Sequence, residues 1–446
     1  MKIGVDLQAI QGTYSDRGIG FYNESLFKKI IAEKPAHMDF FWFLQPQKPV
    51  PEFAAHSGHS VLMPAKRSEH WYADIISELE LDVFHCTCPF GDFPVPNVSN
   101  SGCGTIATIY DLIPLKLPFY FAATVNKSDY ISRLQTLKKY HSLLTISDSV
   151  KDDIRRYLSY PSAKICVIGA GVDEEFFQCP SNSDRALRSQ YLISQPYLLC
   201  TGGDDPRKNM PRLIEAFGLL PPRMSSCKLV IVCDLSPATQ KALLAKAAEV
   251  GVQERLILTG FVPKSTLIAL YRFAAAFVFP SLAEGFGLPI LEAMACGTPV
   301  IASFGRPFTD VAGDAAIYFD PYNPHSIAFA MCAVLDNKTT HFLLGQKGLK
   351  KAASKTWNAV AHAALAAYEK VNVNIDRRHR ANESPQLERL LTTIPLSLQK
   401  KPAQPAAASA LTAASTLAQS LVQAPPKRPS DIRVWPAVSL KKGYLS

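Results

Sequence analysis

The chain has 446 residues, 48% of them hydrophobic and 19% charged, with a formal net charge of +9. That much apolar material fills two ordinary cores, which excludes a disordered chain or a small disulfide-stapled one. Residues 371–446 hold eleven Lys/Arg against four Asp/Glu, so the other 370 residues are near neutral and no nucleic-acid-binding face is expected.

Ten cysteines are too sparse for a disulfide scaffold, and Cys200, Cys233 and Cys296 lie inside apolar runs, as free thiols commonly do. A reduced, cytoplasmic chain is expected. Cys86, Cys88 and Cys103 fit no common zinc spacing, so no metal is expected. Asp6 and Gln8 interrupt the apolar core that a signal peptide needs. The best uncharged stretch, Pro402 to Pro426, is mostly Ala, Ser, Thr and Gln broken by prolines, which leaves only peripheral membrane contact.

In chain order, residues 2–7 (KIGVDL) read as a strand, followed by a loop from Gly12 to Gly20 and a helix from about Phe21 to Ile31. Apolar runs recur at 38–44, 82–85, 104–109, 143–146 and 164–169, with helical stretches between several of them. A second series with the same grammar occupies 197–201, 228–233, 255–258, 276–279, 299–302 and 315–319. Alternating strands and helices predict α/β architecture: two Rossmann-like, doubly wound parallel sheets facing a cleft. The expected boundaries are 1–175 and 190–357, with a polar break around Pro180 to Asp184, a terminal helix over 358–372 and a basic Pro/Ala-rich tail over 373–446. The tail cannot bury a core and is expected to be disordered. Its basic clusters, such as Arg377 to Arg380, would be drawn to an anionic membrane or would simply be solvated.

Three segments carry chemistry. In Pro280-Ser-Leu-Ala-Glu-Gly-Phe-Gly-Leu-Pro-Ile-Leu-Glu292, a strand ends, a glycine turn carries Glu284, and a helix opens near Pro289 carrying Glu292. The N–H groups of Phe286, Gly287 and Leu288 would then face the cleft and receive phosphate or sugar oxygens. In Thr201-Gly-Gly-Asp-Asp-Pro-Arg-Lys-Asn209, Arg207 and Lys208 stand between a strand end and a helix start, a place to neutralise a leaving diphosphate. After the first strand, Gly18 and Gly20 resemble a dinucleotide loop. Asn23 occupies the third glycine's place, however, and no acid ends the second strand, which argues against a nicotinamide cofactor. Asp111, Tyr110 and His85 end strands at the cleft, where they would meet a ligand; a satisfied structural histidine is the equal alternative for His85.

The segment from Pro280 to Val300 resembles the family 4 glycosyltransferases, retaining enzymes of the GT-B fold, whose hallmark E-x7-E has the spacing of Glu284 and Glu292. The resemblance covers about residues 1–371 and includes Gly169-Ala-Gly-Val-Asp173 before the interdomain linker. It implies that Glu284 contacts the donor sugar and Glu292 the nucleotide ribose. It also implies that Arg207 and Lys208 meet the diphosphate, that the Gly18–Gly20 loop approaches donor phosphates and acceptor, and that Asp111, Tyr110 and His85 are the acceptor-side candidates. The chain departs from the family at Gly203, where an arginine is common, and at Tyr110, where a histidine is common.

The resemblance implies transfer of a hexosyl group from a nucleotide diphosphate sugar to a saccharide or lipid-linked acceptor, with retention and without a cofactor. No DxD metal pair is evident, since Asp204 and Asp205 are adjacent. Glu284, Lys208 and Asp111 are the catalytic candidates. The stretches DLQAIQG, YDLIPL and DPRKN are most similar to bacterial mannosyl or rhamnosyl transferases of O-antigen and other polysaccharides, which favours GDP-mannose. Peripheral association with the inner membrane face or with other polysaccharide-synthesis proteins would fit that role. Two alternatives stand beside it: a nucleotide-sugar 2-epimerase of the same fold, and a catalytically weak homologue serving as a binding or assembly subunit.

Overall fold

A computed structural model describes residues 1–372 except 13, 16–17, 65, 67, 69, 99–100, 124, 190, 192 and 194–195. Parts of the expected Gly12–Gly20 loop and the whole basic tail lie outside the described residues.

The first sheet holds β1 (Lys2–Asp6), β2 (Asp39–Leu44), β3 (His59–Leu62), β4 (Val83–Cys86), β5 (Gly104–Ile109), β6 (Ser142–Thr145) and β7 (Ile165–Val167), in the order β3-β2-β1-β4-β5-β6-β7. The second holds β8 (Tyr197–Thr201), β9 (Lys228–Val232), β10 (Leu256–Leu258), β11 (Ala276–Phe279), β12 (Val300–Ser303) and β13 (Ala316–Phe319), in the order β10-β9-β8-β11-β12-β13. Neighbouring strands pair in parallel throughout both sheets. Helices cover both faces, so the strands read as unbroken apolar runs: all four residues of β11 (AFVF) are buried. This is the GT-B architecture of two Rossmann-like sheets.

Strand order reverses between β1 and β4 in one sheet and between β8 and β11 in the other. Crossovers leave such a pair toward opposite faces and open a crevice at the strands' carboxyl ends, which is where open α/β sheets bind ligands. Residues 202–209 follow β8 and residues 280–287 follow β11, so the two sharpest sequence segments flank one crevice.

The chain passes between the sheets twice. After β7 it runs into the second sheet, and after Ala353 it returns, where the Val172 N–H donates to the Lys355 carbonyl at 3.1 Å. The last helix, Trp357–Val371, therefore packs on the first sheet rather than trailing behind the second. Trp357 meets the ring of Tyr22 edge-on at 5.1 Å, and Tyr368 bonds His85 on β4. Sequence periodicity also overlooked β3, a short edge strand (HSVL) with only Val61 buried, which carries little apolar signal. Among the described residues, no helix is long and apolar enough to cross a membrane.

Candidate functional site

The turn after β8 is built by its own short side chains. Asp205 caps the 3-10 turn Pro206–Lys208 by accepting the Arg207 N–H at 3.0 Å. Asn209 then adopts the left-handed conformation (φ 57°), which asparagine tolerates better than most residues. Its buried amide donates to the carbonyls of Pro321 at 2.8 Å and Pro280 at 3.2 Å, tying the turn to the ends of β13 and β11. Arg207 and Lys208 are thereby held at the crevice.

The loop after β11 faces that turn. The Leu282 N–H donates to the Arg207 carbonyl at 2.8 Å, and Arg207 Nη1 donates to the Ala283 carbonyl at 3.0 Å. Glu284 takes Lys208 Nζ on one oxygen at 2.8 Å and pairs with Arg207 Nη1 through the other. Burial alone would raise the pKa of Glu284, but the two cations outweigh it and hold the carboxyl down at about 2. Burial opposes the charge on Arg207, yet Glu284 and Asp205 keep its guanidinium more firmly protonated than usual. Gly287 (φ 105°) turns the chain into the helix Leu288–Ala295, with Pro289 in its first turn. No intramolecular acceptor among the described residues takes the N–H groups of Phe286, Gly287 or Leu288. These three donors and two cations make a site suited to a dianionic diphosphate.

Glu292 lies in the second turn of that helix and accepts the Tyr271 hydroxyl at 3.0 Å. Burial pushes its carboxyl up to about 7, and the Tyr271 bond only partly offsets this. Gly203 stands open: a Cβ there would meet nothing within 4 Å.

The first half of the molecule closes against this loop. Ser147, two residues past the end of β6, donates its hydroxyl to the Gly285 carbonyl at 2.6 Å. A Cβ on Gly285 would stand 1.9 Å from the Tyr110 carbonyl oxygen, so only glycine fits. Asp111 accepts the Ile113 N–H at 3.0 Å; burial raises its pKa, the Arg207 charge opposes that, and Glu284 and Asp205 add to it. Asp111 therefore lies within electrostatic reach of the cluster. Tyr120 donates its hydroxyl to Asp205 from across the cleft.

Three sequence candidates are placed differently from the expectation. His85 is fully buried, with Nδ1 on the Tyr368 hydroxyl at 2.8 Å and Nε2 on the Thr108 hydroxyl at 2.7 Å, and burial lowers its pKa to about 3. It is a core histidine, out of reach of an acceptor. The Tyr110 side chain turns into the core, where its hydroxyl accepts from Asn23 Nδ2 at 2.8 Å and its ring meets Tyr22; only its carbonyl faces the loop after β11. Gly18 and Gly20 belong to the helix Gly18–Glu33 rather than to a loop, because Gly20 packs on its own chain: its N–H donates to the Tyr14 carbonyl, and a Cβ would stand 2.3 Å from that oxygen. Gly18 has nothing within 4 Å of its Cβ position.

Sequence reading missed Ser147, Tyr120 and the anchoring role of Asp205. Ser147 was signalled by its place just past a strand end; Tyr120 carried no signal. A hollow at the β1/β4 reversal, lined by Asp6, Gln8, Tyr14, Thr87, Cys88 and Asp92 among others, was also missed, although DLQ and CTC run out of the two strands that frame it. Among the described residues, no group of three or more His, Cys, Asp or Glu side chains is placed to hold a metal ion.

Residues 183–351 match the family model "Glycosyl transferases group 1". Over 272 residues, 60% of this chain, it is 30% identical to the Serotype-specific mannosyltransferase WbdA of Escherichia coli, and the match spans 33% of that protein. It is 29% identical over 266 residues to O-antigen chain mannosyltransferase B of E. coli, covering 59% of this chain and 70% of that one. The structure superposes on that of Alr3699/HepE from Anabaena, solved with UDP-glucose, with a TM-score of 0.65 at 14% identity over 83% of this chain and 99% of that one. The chain thus spans about a third of the length of WbdA, and the structural likeness bears on the fold.

Proposed function

We propose, from the premise that this chain is a GT-B fold protein related to the family 4 bacterial mannosyltransferases, that it transfers a hexosyl group from a nucleotide diphosphate sugar to a saccharide or lipid-linked acceptor in polysaccharide synthesis, with retention of configuration. Mannose is the favoured sugar, in line with the names of both mannosyltransferases, and GDP is the carrier that the sequence resemblance favours. The observation that carries the reading is the meeting of Arg207, Lys208 and Glu284 with three free N–H groups at the switch point of the second sheet.

In this reading the diphosphate takes the place that Glu284 holds on the two cations. Glu284, released from them and ionised near neutral pH like any carboxylate, turns to the donor's sugar hydroxyls. As the bond between the anomeric carbon and the phosphate oxygen breaks, negative charge grows on the leaving diphosphate, and Arg207, Lys208 and the loop N–H groups stabilise it. The acceptor hydroxyl approaches on the same face, its oxygen bonds the anomeric carbon, and its proton passes to the leaving phosphate oxygen. Glu292 accepts the ribose hydroxyls, and Asp111 stands on the acceptor side. Contacts from Ser147 and Tyr120 hold the halves together and exclude water during transfer.

The test is nucleotide release by the purified protein from a donor panel with lipid-linked and oligosaccharide acceptors, followed by linkage analysis. GDP release from GDP-mannose with a mannosylated product is expected. Turnover of another donor changes the sugar, a new sugar formed without acceptor makes the protein an epimerase, and binding without turnover makes it an assembly subunit.

A further inference from the structure

Tyr120 lies in the short helix Phe119–Ala123 of the first half, half-buried beside the cleft, with its ring stacked on Phe119 at 4.7 Å. Its hydroxyl donates to Asp205 Oδ1, in the turn after β8 of the second half. The same Oδ1 accepts the Arg207 N–H at 3.0 Å, and Oδ2 accepts Arg207 Nε at 2.8 Å. Arg207 Nη1 reaches the other way, to Glu284 and the Ala283 carbonyl. An unbroken chain of hydrogen bonds thus runs from one half of the molecule to the guanidinium of the other.

A guanidinium is a rigid planar fork that matches an anionic oxygen pair only when its plane is correctly turned. Here two carboxylates compete for one arginine. Glu284 pulls from the distal end, and Asp205 holds the Nε edge. Asp205 is partly exposed, and only when the halves meet does the tyrosine fix its carboxylate from the far side. We propose that Tyr120 is a positioning residue whose hydroxyl, acting through Asp205, sets the orientation of the Arg207 guanidinium in the closed molecule. The inference rests on the function proposed above and adds to it a route by which closure of the first half organises the diphosphate site of the second.

The hydroxyl is removed without loss of ring packing in Tyr120→Phe. GDP, UDP and dTDP affinities are measured by calorimetry for the full chain, for Tyr120→Phe, for Arg207→Ala and for the double variant, with Arg306→Ala as a comparison. Arg306 also bridges the halves, to Asp152 at 2.6 Å, but touches nothing in the diphosphate site. The expected result is a loss of about tenfold from Tyr120→Phe in the native background and less than about twofold once Arg207 is gone. With an active donor, the kcat loss should exceed the change in donor KM, because the contact spans the closed cleft. Equal losses in both backgrounds, or a loss no larger than that of Arg306→Ala, reduce Tyr120 to a staple between halves and overturn this inference alone. Failure of all three nucleotides to bind the native chain overturns the proposed function with it.

Discussion

Glu284 and Glu292 are the same residue type eight positions apart, yet their surroundings drive them in opposite directions. Two cations hold Glu284 at about 2, whereas Glu292 has one hydroxyl for company and rises to about 7. The raised value is a statement about stability. A carboxyl whose folded pKa exceeds its ordinary 4.5 favours the folded state below that value and progressively loses this contribution as pH rises through about 7. Glu292→Gln should therefore be more stable than the native chain at pH 8, by up to about 3 kcal/mol, with the difference fading below about pH 5. Urea midpoints across that range test it, and a difference of opposite sign or independent of pH contradicts the assigned environment. The spacing of the two glutamates made both visible in the sequence. Their opposite states were not, because Arg207 arrives from 77 positions upstream and Tyr271 from the separate helix Lys264–Phe273.

At the level of elements, the loop after β11 is shaped as much by the opposite half as by its own strand. Gly285 leaves no room for a Cβ against the Tyr110 carbonyl, and its own carbonyl is held by Ser147. Gly285→Ala should keep the halves apart: we expect kcat to fall at least a hundredfold while nucleotide affinity changes only a few-fold, with scattering showing no compaction on nucleotide binding. Unchanged kcat would mean that the reactive molecule does not close at this contact. Strand-and-turn grammar located the loop because β11, the glycines and Pro289 are local signals. It could not separate a glycine needed by a ligand from one needed by the protein. Gly20 shows the difference, since its missing side chain is used by the Tyr14 and Ser15 carbonyls rather than by a phosphate. His85 failed as a site residue for a similar reason: a strand-end histidine looks the same in sequence whether it faces a cleft or a helix that arrives 283 residues later.

For the molecule as a whole, that late helix is a structural part of the first half. Tyr368 supplies the hydroxyl that occupies Nδ1 of the buried His85, and its ring lies 6.4 Å from Phe40 on β2. Tyr368→Phe leaves a buried ring nitrogen without its partner and should cost about 1–3 kcal/mol, lowering Tm by several degrees. The value of kcat, measured well below Tm, should stay unchanged, because neither residue faces the cleft. A fall in kcat at full stability would show that the helix transmits to the site as well as supporting it.

The same return of the chain sets an order on synthesis. Seven strands are made before residue 168, but the helix that lies over them is complete only at Val371, after the entire second sheet has left the ribosome. The half of the molecule translated first is thus the last to be finished. Until then its apolar face, with Phe40 and the His85 ring among its members, lacks the cover that Tyr368 provides.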